Sequence, residues 1–270
     1  MSLRQFYPKR NSRQQVSIWK LNALYTTLLV AIGLQISYPL IDGETLRVVT
    51  IATVYWGATA MFLHAIIAYG IVYALQFISI TFIYALAIEQ LGSRTGWPFG
   101  SYEYSGTLGY QIYGVPLVVP FAWVMLAHPL LLVARKVTKN CVFLYGGVGM
   151  MAWDLFLDPQ MVAKERWTWE FSGSHVPFQP EIPLSNAFGW LLTGMGLMAL
   201  LNAVLRIDRR KVLASSAVPD LFLIWTWFSG VVGNVFFFDR GDVALSGGIV
   251  FGLVMIPYLF LRRFGPPANI

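Results

Sequence analysis

The sequence predicts an all-α fold, a polytopic membrane helix bundle, and three observations carry that reading. Of the 270 residues, 57% are apolar and only 12% charged, whereas a soluble domain carries about a quarter charged residues. Apolar tracts of about 20 residues recur, each long enough to cross a bilayer core. Basic residues gather in alternate connections, the pattern of a chain threaded repeatedly through a membrane. The same composition excludes disorder, a coiled coil and a nucleic-acid-binding domain.

Taken in order, the spans fall at about 21–40, 48–67, 70–91, 115–135, 141–158, 184–205, 218–238 and 243–262. The count is about eight transmembrane helices, with seven as the alternative. The first tract follows a polar, basic segment, 1–20, and lacks a small-x-small cleavage site, so it reads as a helix and not as a removed signal peptide. The 48–91 block has no acid or Lys/Arg until Glu89 and is too long for one crossing; Gly70 is the expected turn. With the N-terminus inside, the segments 1–20, 68–69, 136–140, 206–217 and 263–270, with their flanking span ends, collect 14 of the 19 basic residues. The other side keeps Arg47, Arg94, Lys164, Arg166 and Arg240. Both termini are therefore expected in the cytoplasm, with residues 1–270 forming one multi-pass domain of the cell membrane. Two long outer connections, 92–114 and 159–183, hold most of the polar and aromatic content outside the spans. Long connections are where function concentrates.

The rare residues exclude several chemistries. Cys141 is the single cysteine, so the chain has no internal disulfide. His64, His128 and His175 are too few and too scattered for a membrane di-iron oxygenase. For His64 and His128, packed or hydrogen-bonded imidazoles are favoured over a bis-His haem. No lysine sits in a span to anchor a retinal Schiff base, and no phosphate-binding glycine loop occurs. No metal or cofactor is expected.

Three segments remain as carriers of chemistry. In the first, Trp97 precedes Tyr102-Glu103-Tyr104, a carboxylate between two phenols; the plain alternative is an interfacial aromatic belt with a solvated glutamate. In the second, Trp153 precedes Asp154 and Asp158, which share a helix face about 6 Å apart along the axis. Pro159 is expected to end that helix near Asp158, leaving Asp154 one turn deeper. An acid at that depth costs about 2.5–3.5 kcal/mol and faces the bundle interior. It is either a proton donor kept neutral by its surroundings or a hydrogen-bonded tie between helices. Glu89 and Asp220, near span ends, read as interfacial. In the third segment Trp167, Trp169, Asn186 and Trp190 form a membrane belt or line a π-rich pocket, where each ring face stabilises a cation by about 0.5–2 kcal/mol. The Gly248/Gly252 and Ser229/Gly233 spacings are assigned to helix packing.

The runs GWPFGSYEYSGTLGYQIYGVPLVVPFAW, WDLFLDPQMV, WTW and IPLSNAFGW together resemble the integral-membrane carotenoid biosynthesis protein family, over about residues 92–190. The chain departs from the family's pattern at Phe178–Glu181, where Glu181 adds a charge ahead of the Ile182-Pro183 pair. The resemblance implies a hydro-lyase of the carotenoid 1,2-hydratase type, adding water to the terminal C=C of an acyclic ψ-end carotenoid. Protonation of the CH carbon would leave a tertiary carbocation that water captures, without redox cofactor or metal. On this reading Asp154 is the acid, and Asp158, with Glu103 as competitor, handles the water. Trp153, Trp167, Trp169, Tyr102 and Tyr104 shield the cation, Asn186 orients water, and Trp97 and Trp190 complete the binding surface. The implied partners are a lipophilic carotenoid, the bilayer and other enzymes of the pathway. Competing readings are a cyclase or prenyltransferase of the same pathway, and a carotenoid-binding or transport protein. Asp154-xxx-Asp158 is only half of a diphosphate–Mg2+ site, and no repeated halves of the transporter kind are evident.

Overall fold

In lipid a backbone finds hydrogen-bond partners only within itself, so each uncharged apolar tract folds as a helix. The computed structural model describes residues 16–171, 173–205 and 215–265. Among these, eight long helices form an all-α bundle: α1 Ile18–Ser37, α2 Gly43–Tyr69, α3 Ile71–Thr95, α4 Val118–Val137, α5 Val142–Ala163, α6 Leu184–Val204, α7 Ala217–Phe236 and α8 Gly241–Phe264. A 3-10 turn, Tyr38–Leu40, follows α1. Gly70 alone joins α2 to α3, at φ 96°, a conformation that favours glycine. The basic segment before residue 16 and Arg206, Arg209, Arg210 and Lys211 lie outside the described residues.

Seven of these helices are long and apolar enough to cross a membrane, and α5 is the exception. Its two aspartates, Gln160 and glycines lower its hydropathy. They are tolerated because α5 packs against α4, α6, α7 and α8. Gly147 lets α6 approach closely: a Cβ there would lie 2.6 Å from Met195 Cγ and 2.9 Å from its backbone N.

Helix α5 does not end near Asp158, as the sequence suggests, but runs through Pro159 to Ala163. Proline has no N–H to donate to the carbonyl four residues earlier, here that of Leu155. The side-chain amide of Gln179 donates to the Leu155 carbonyl instead, at 2.9 Å, and also to Ser246 Oγ at 2.9 Å. The missing helical bond is thus replaced from outside the helix, and Asp158 is held at a regular helical position.

The long connections are ordered by three short antiparallel pairs. Strand β1 (Tyr102–Tyr104) pairs with β4 (Trp167–Trp169), β2 (Gln111–Ile112) with β3 (Val115–Pro116), and β5 (His175–Val176) with β6 (Gln179–Pro183). The β1–β4 pair ties the two connections together at one end of the bundle. Glu181 is ion-paired to Arg240 at 2.7 Å, and Arg240 also grips Asp242 at the start of α8. The Glu181 charge therefore fastens β6 to α8.

Deep in the bundle, His64 Nδ1 and His128 Nε2 are 2.9 Å apart, so the two imidazoles share a hydrogen bond and leave no gap between them for a haem. Asp220, in the first turn of α7, is buried: it accepts from Ser216 Oγ, Tyr258 OH and Arg262, tying α7 to α8.

Candidate active site

Side chains on a strand alternate between faces, so the register of a two-stranded pair decides what it presents. Tyr102 lies opposite Trp169 and Tyr104 opposite Trp167, while Glu103 lies opposite Thr168. All four aromatic rings turn inward and both Glu103 and Thr168 are exposed. The rings roof a cavity of about 80 Å³. Its walls come from α2, α3, α4, α5 and α6 and include Glu89, Trp123, Trp153, Asp158, Asn186 and Trp190.

Two separate carboxyl centres stand in this wall. The first is Glu89 of α3, which is buried. Its Oε2 accepts from Tyr102 OH at 2.7 Å and Tyr104 OH at 2.8 Å, and its Oε1 from Trp123 Nε1 at 3.0 Å. Three neutral donors on two oxygens suit a carboxylate. Burial, and then the neighbouring Glu89 carboxylate, push both phenols well above their ordinary value of 10, so Tyr102 and Tyr104 remain protonated donors. One turn on, Gly92 shares the face of Glu89; a Cβ there would stand 2.7 Å from Phe99 and 2.9 Å from Tyr102 OH. The absence of a side chain at Gly92 lets the 96–102 turn close over the glutamate.

The second centre is the aspartate pair of α5. The amide of Asn186, on α6, donates to Asp154 Oδ2 at 2.9 Å and also to Asp158 Oδ2, while Trp167 Nε1 donates to Asp158 Oδ1 at 3.2 Å. Both aspartates are buried. Among the described residues that line the cavity, Asp158 is one and Asp154 is not. Asp154 stands behind Asp158, linked to it by the shared amide. Trp190 closes the floor, stacked on Trp123 with ring centroids 4.7 Å apart and edge-on to Trp153 at 5.9 Å.

The structure therefore gathers Asp158, Tyr102, Tyr104, Trp153, Trp167, Trp169, Asn186 and Trp190 around one cavity, with Asp154 directly behind. Glu103 is not brought there, because strand alternation turns it away from the phenols that flank it in sequence. Trp97 is exposed and also stands apart; its neighbour Phe99 is the ring that enters the wall. Sequence reasoning missed Glu89 and Trp123. The one available signal was that Glu89 is the single acid in a 44-residue stretch, 48–91. Its partners come from a connection and from α4, which only the tertiary structure brings near.

An all-helical bundle that encloses an aromatic cavity with two carboxyl centres defines the class: an integral-membrane helical protein with an acid-lined aromatic cavity. Residues 49–255 match the family described as carotenoid biosynthesis protein, and the chain belongs to that family. It is also similar to the bisanhydrobacterioruberin hydratase of Haloarcula japonica, 36% identical over 119 residues. That match covers 42% of this chain and 39% of the relative's length. No solved structure matches the chain significantly.

Proposed function

We propose that this protein is a carotenoid hydratase, a hydro-lyase that adds water to the terminal trisubstituted C=C of an acyclic carotenoid. One observation carries the reading: Asp158 and Glu89 stand separately in the wall of one aromatic cavity. Two carboxyls in different hydrogen-bond environments can take different roles. Membership of a carotenoid-pathway family and likeness to a relative named as a hydratase support the choice of reaction.

In this mechanism the aspartate pair supplies the proton. Two buried carboxyls joined through one amide avoid holding two adjacent charges if one keeps its proton. Asp158 delivers that proton, being the member in the wall, and Asp154 sits behind as its reserve. The π electrons of the alkene form the new C–H bond at the CH carbon, leaving a tertiary cation at the neighbouring carbon. The Glu89 carboxyl oxygens and the faces of Trp153, Trp167, Trp169 and Trp190 stabilise that cation. A water oxygen then forms the C–O bond, and the surplus proton returns to the aspartate pair, so the net change is one H2O added. On this reading, with the N-terminus inside, the cavity opens toward the outer side of the membrane.

The test is expression in a host that accumulates acyclic ψ-end carotenoids, with pigments analysed by chromatography and mass detection. The expected result is a gain of one or two waters per molecule, lost in Asp158→Asn. A mass-neutral new product would replace hydration by cyclisation. Unchanged pigment that co-purifies with the protein would replace it by binding.

A further inference from the structure

A second, larger cavity of about 310 Å³ lies beside the first, between α1, α2, α5 and α7. The two share a partition of Thr50 and Val54 from α2 and Trp153, Leu157 and Met161 from α5. These positions are four apart on each helix, so they form two facing stripes. Of these, Met161 and Leu157 carry flexible side chains, and a change of rotamer at either opens the partition. Asp158 directly follows Leu157 in the chain and lines the smaller cavity only.

The far side of the larger cavity is open. Ile36, Phe228 and Phe237 stand at its mouth and are each more than half exposed. Ile36 and Phe228 belong to the membrane-spanning helices α1 and α7, and Phe237 directly follows α7. A mouth rimmed by such side chains faces lipid tails. Across it, Trp225 Nε1 of α7 donates to Gln35 Oε1 of α1 at 2.5 Å, a polar tie between the two helices. Along α7 the lining runs from Trp225 to Phe237, about 18 Å at helical rise.

We propose that the larger cavity holds the body of a linear isoprenoid chain admitted sideways from the bilayer between α1 and α7, with its terminal double bond passed across the partition to Asp158 and Glu89. This rests on the hydratase reading for the identity of the chain's reacting end. The apolar ligand then never crosses water, and a chain longer than the cavity leaves its remainder among lipid tails.

The test fills the larger cavity from α7. Ser229 lines it and makes only a 3.4 Å hydrogen bond, to the Thr226 carbonyl. Ser229→Trp is compared with Leu253→Trp, an exposed position on α8 that lines neither cavity. Each is purified from the carotenoid-producing host and also assayed with a ten-carbon acyclic analogue bearing the same terminal alkene. Ser229→Trp should lower co-purified polyene and its hydration at least tenfold, yet leave the analogue's turnover within twofold. Leu253→Trp should change neither. Retention of polyene by folded Ser229→Trp overturns the proposal. A photo-activated diazirine residue at the exposed position Phe228 gives a second readout that does not depend on turnover or on filling the core. It should label bound polyene, whereas the same residue at the exposed Leu253 of α8 should not, and equal labelling at both overturns the proposal. Polyene bound and labelled at Phe228 by a protein that hydrates neither substrate would reject the hydratase reading and leave the portal standing.

Discussion

The side-chain amide of Gln179 donates to the carbonyl of Leu155 at 2.9 Å, occupying the acceptor that Pro159 leaves without its helical donor. A residue of the second long connection thereby completes α5 at the turn that carries Asp158. Gln179→Met should leave that buried carbonyl unpaired and cost about 1–3 kcal/mol. Pro159→Ala in the same background restores an N–H at the right position and should recover most of the loss. Thermal unfolding in detergent of the two single variants and the double variant gives the coupling. Additive effects would remove this account of why the helix continues.

Glu89 and Glu103 make opposite predictions although both lie next to the same tyrosines. Glu89→Gln puts an amide among three donors that need acceptors, and should reduce hydration about a hundredfold. Glu103→Gln alters an exposed side chain on the outer face of β1 and should leave product formation within about twofold. Product yield per mole of purified protein checks both.

The phenols of Tyr102 and Tyr104 should be silent in an alkaline titration. Both are raised well above 10, by burial first and the Glu89 carboxylate second. In the unfolded chain they ionise near 10, so the folded state binds more protons above that pH and stability falls as pH rises. Below pH 10 they contribute no pH dependence. Phenolate absorbance at pH 11 should have the same amplitude in the wild type and in Tyr102→Phe/Tyr104→Phe; a drop of two phenols in the variant would contradict the buried geometry.

Phe99 is clasped between two glycines, Gly92 and Gly189. At Gly189 a Cβ would lie 2.7 Å from Phe99 Cδ1 and 2.9 Å from the Pro98 carbonyl oxygen, which is backbone and cannot swing aside. Gly189→Ala should cost about 1–3 kcal/mol and displace the turn that roofs the cavity, lowering melting temperature and product yield together. Unchanged values in both would show that the turn can shift without affecting the site.

Much of the fold is legible in the chain because lipid imposes simple rules. Apolar length marks seven of the eight helices, and Gly70 marks the turn within an otherwise unbroken block. The four-residue spacing of Asp154 and Asp158 is enough to place them on one helix face. What misleads is local inference about Pro159 and Glu103. A proline predicts a helix end only if nothing else supplies the lost donor, and Gln179, 20 residues away, supplies it. A glutamate between two tyrosines looks like their partner, but a strand turns alternate side chains to opposite faces.

The sequence by itself determined the class of environment, the number of helices and the aromatic and acidic inventory, since these follow from composition and period along one dimension. The tertiary structure alone decided which carboxyls meet which donors. Glu89 finds Tyr102, Tyr104 and Trp123 from 13 to 34 residues away, and Asp158 finds Asn186 from 28 away. Hydrogen bonds at such separations depend on how helices pack and which strands pair, a relationship between segments that no single segment encodes.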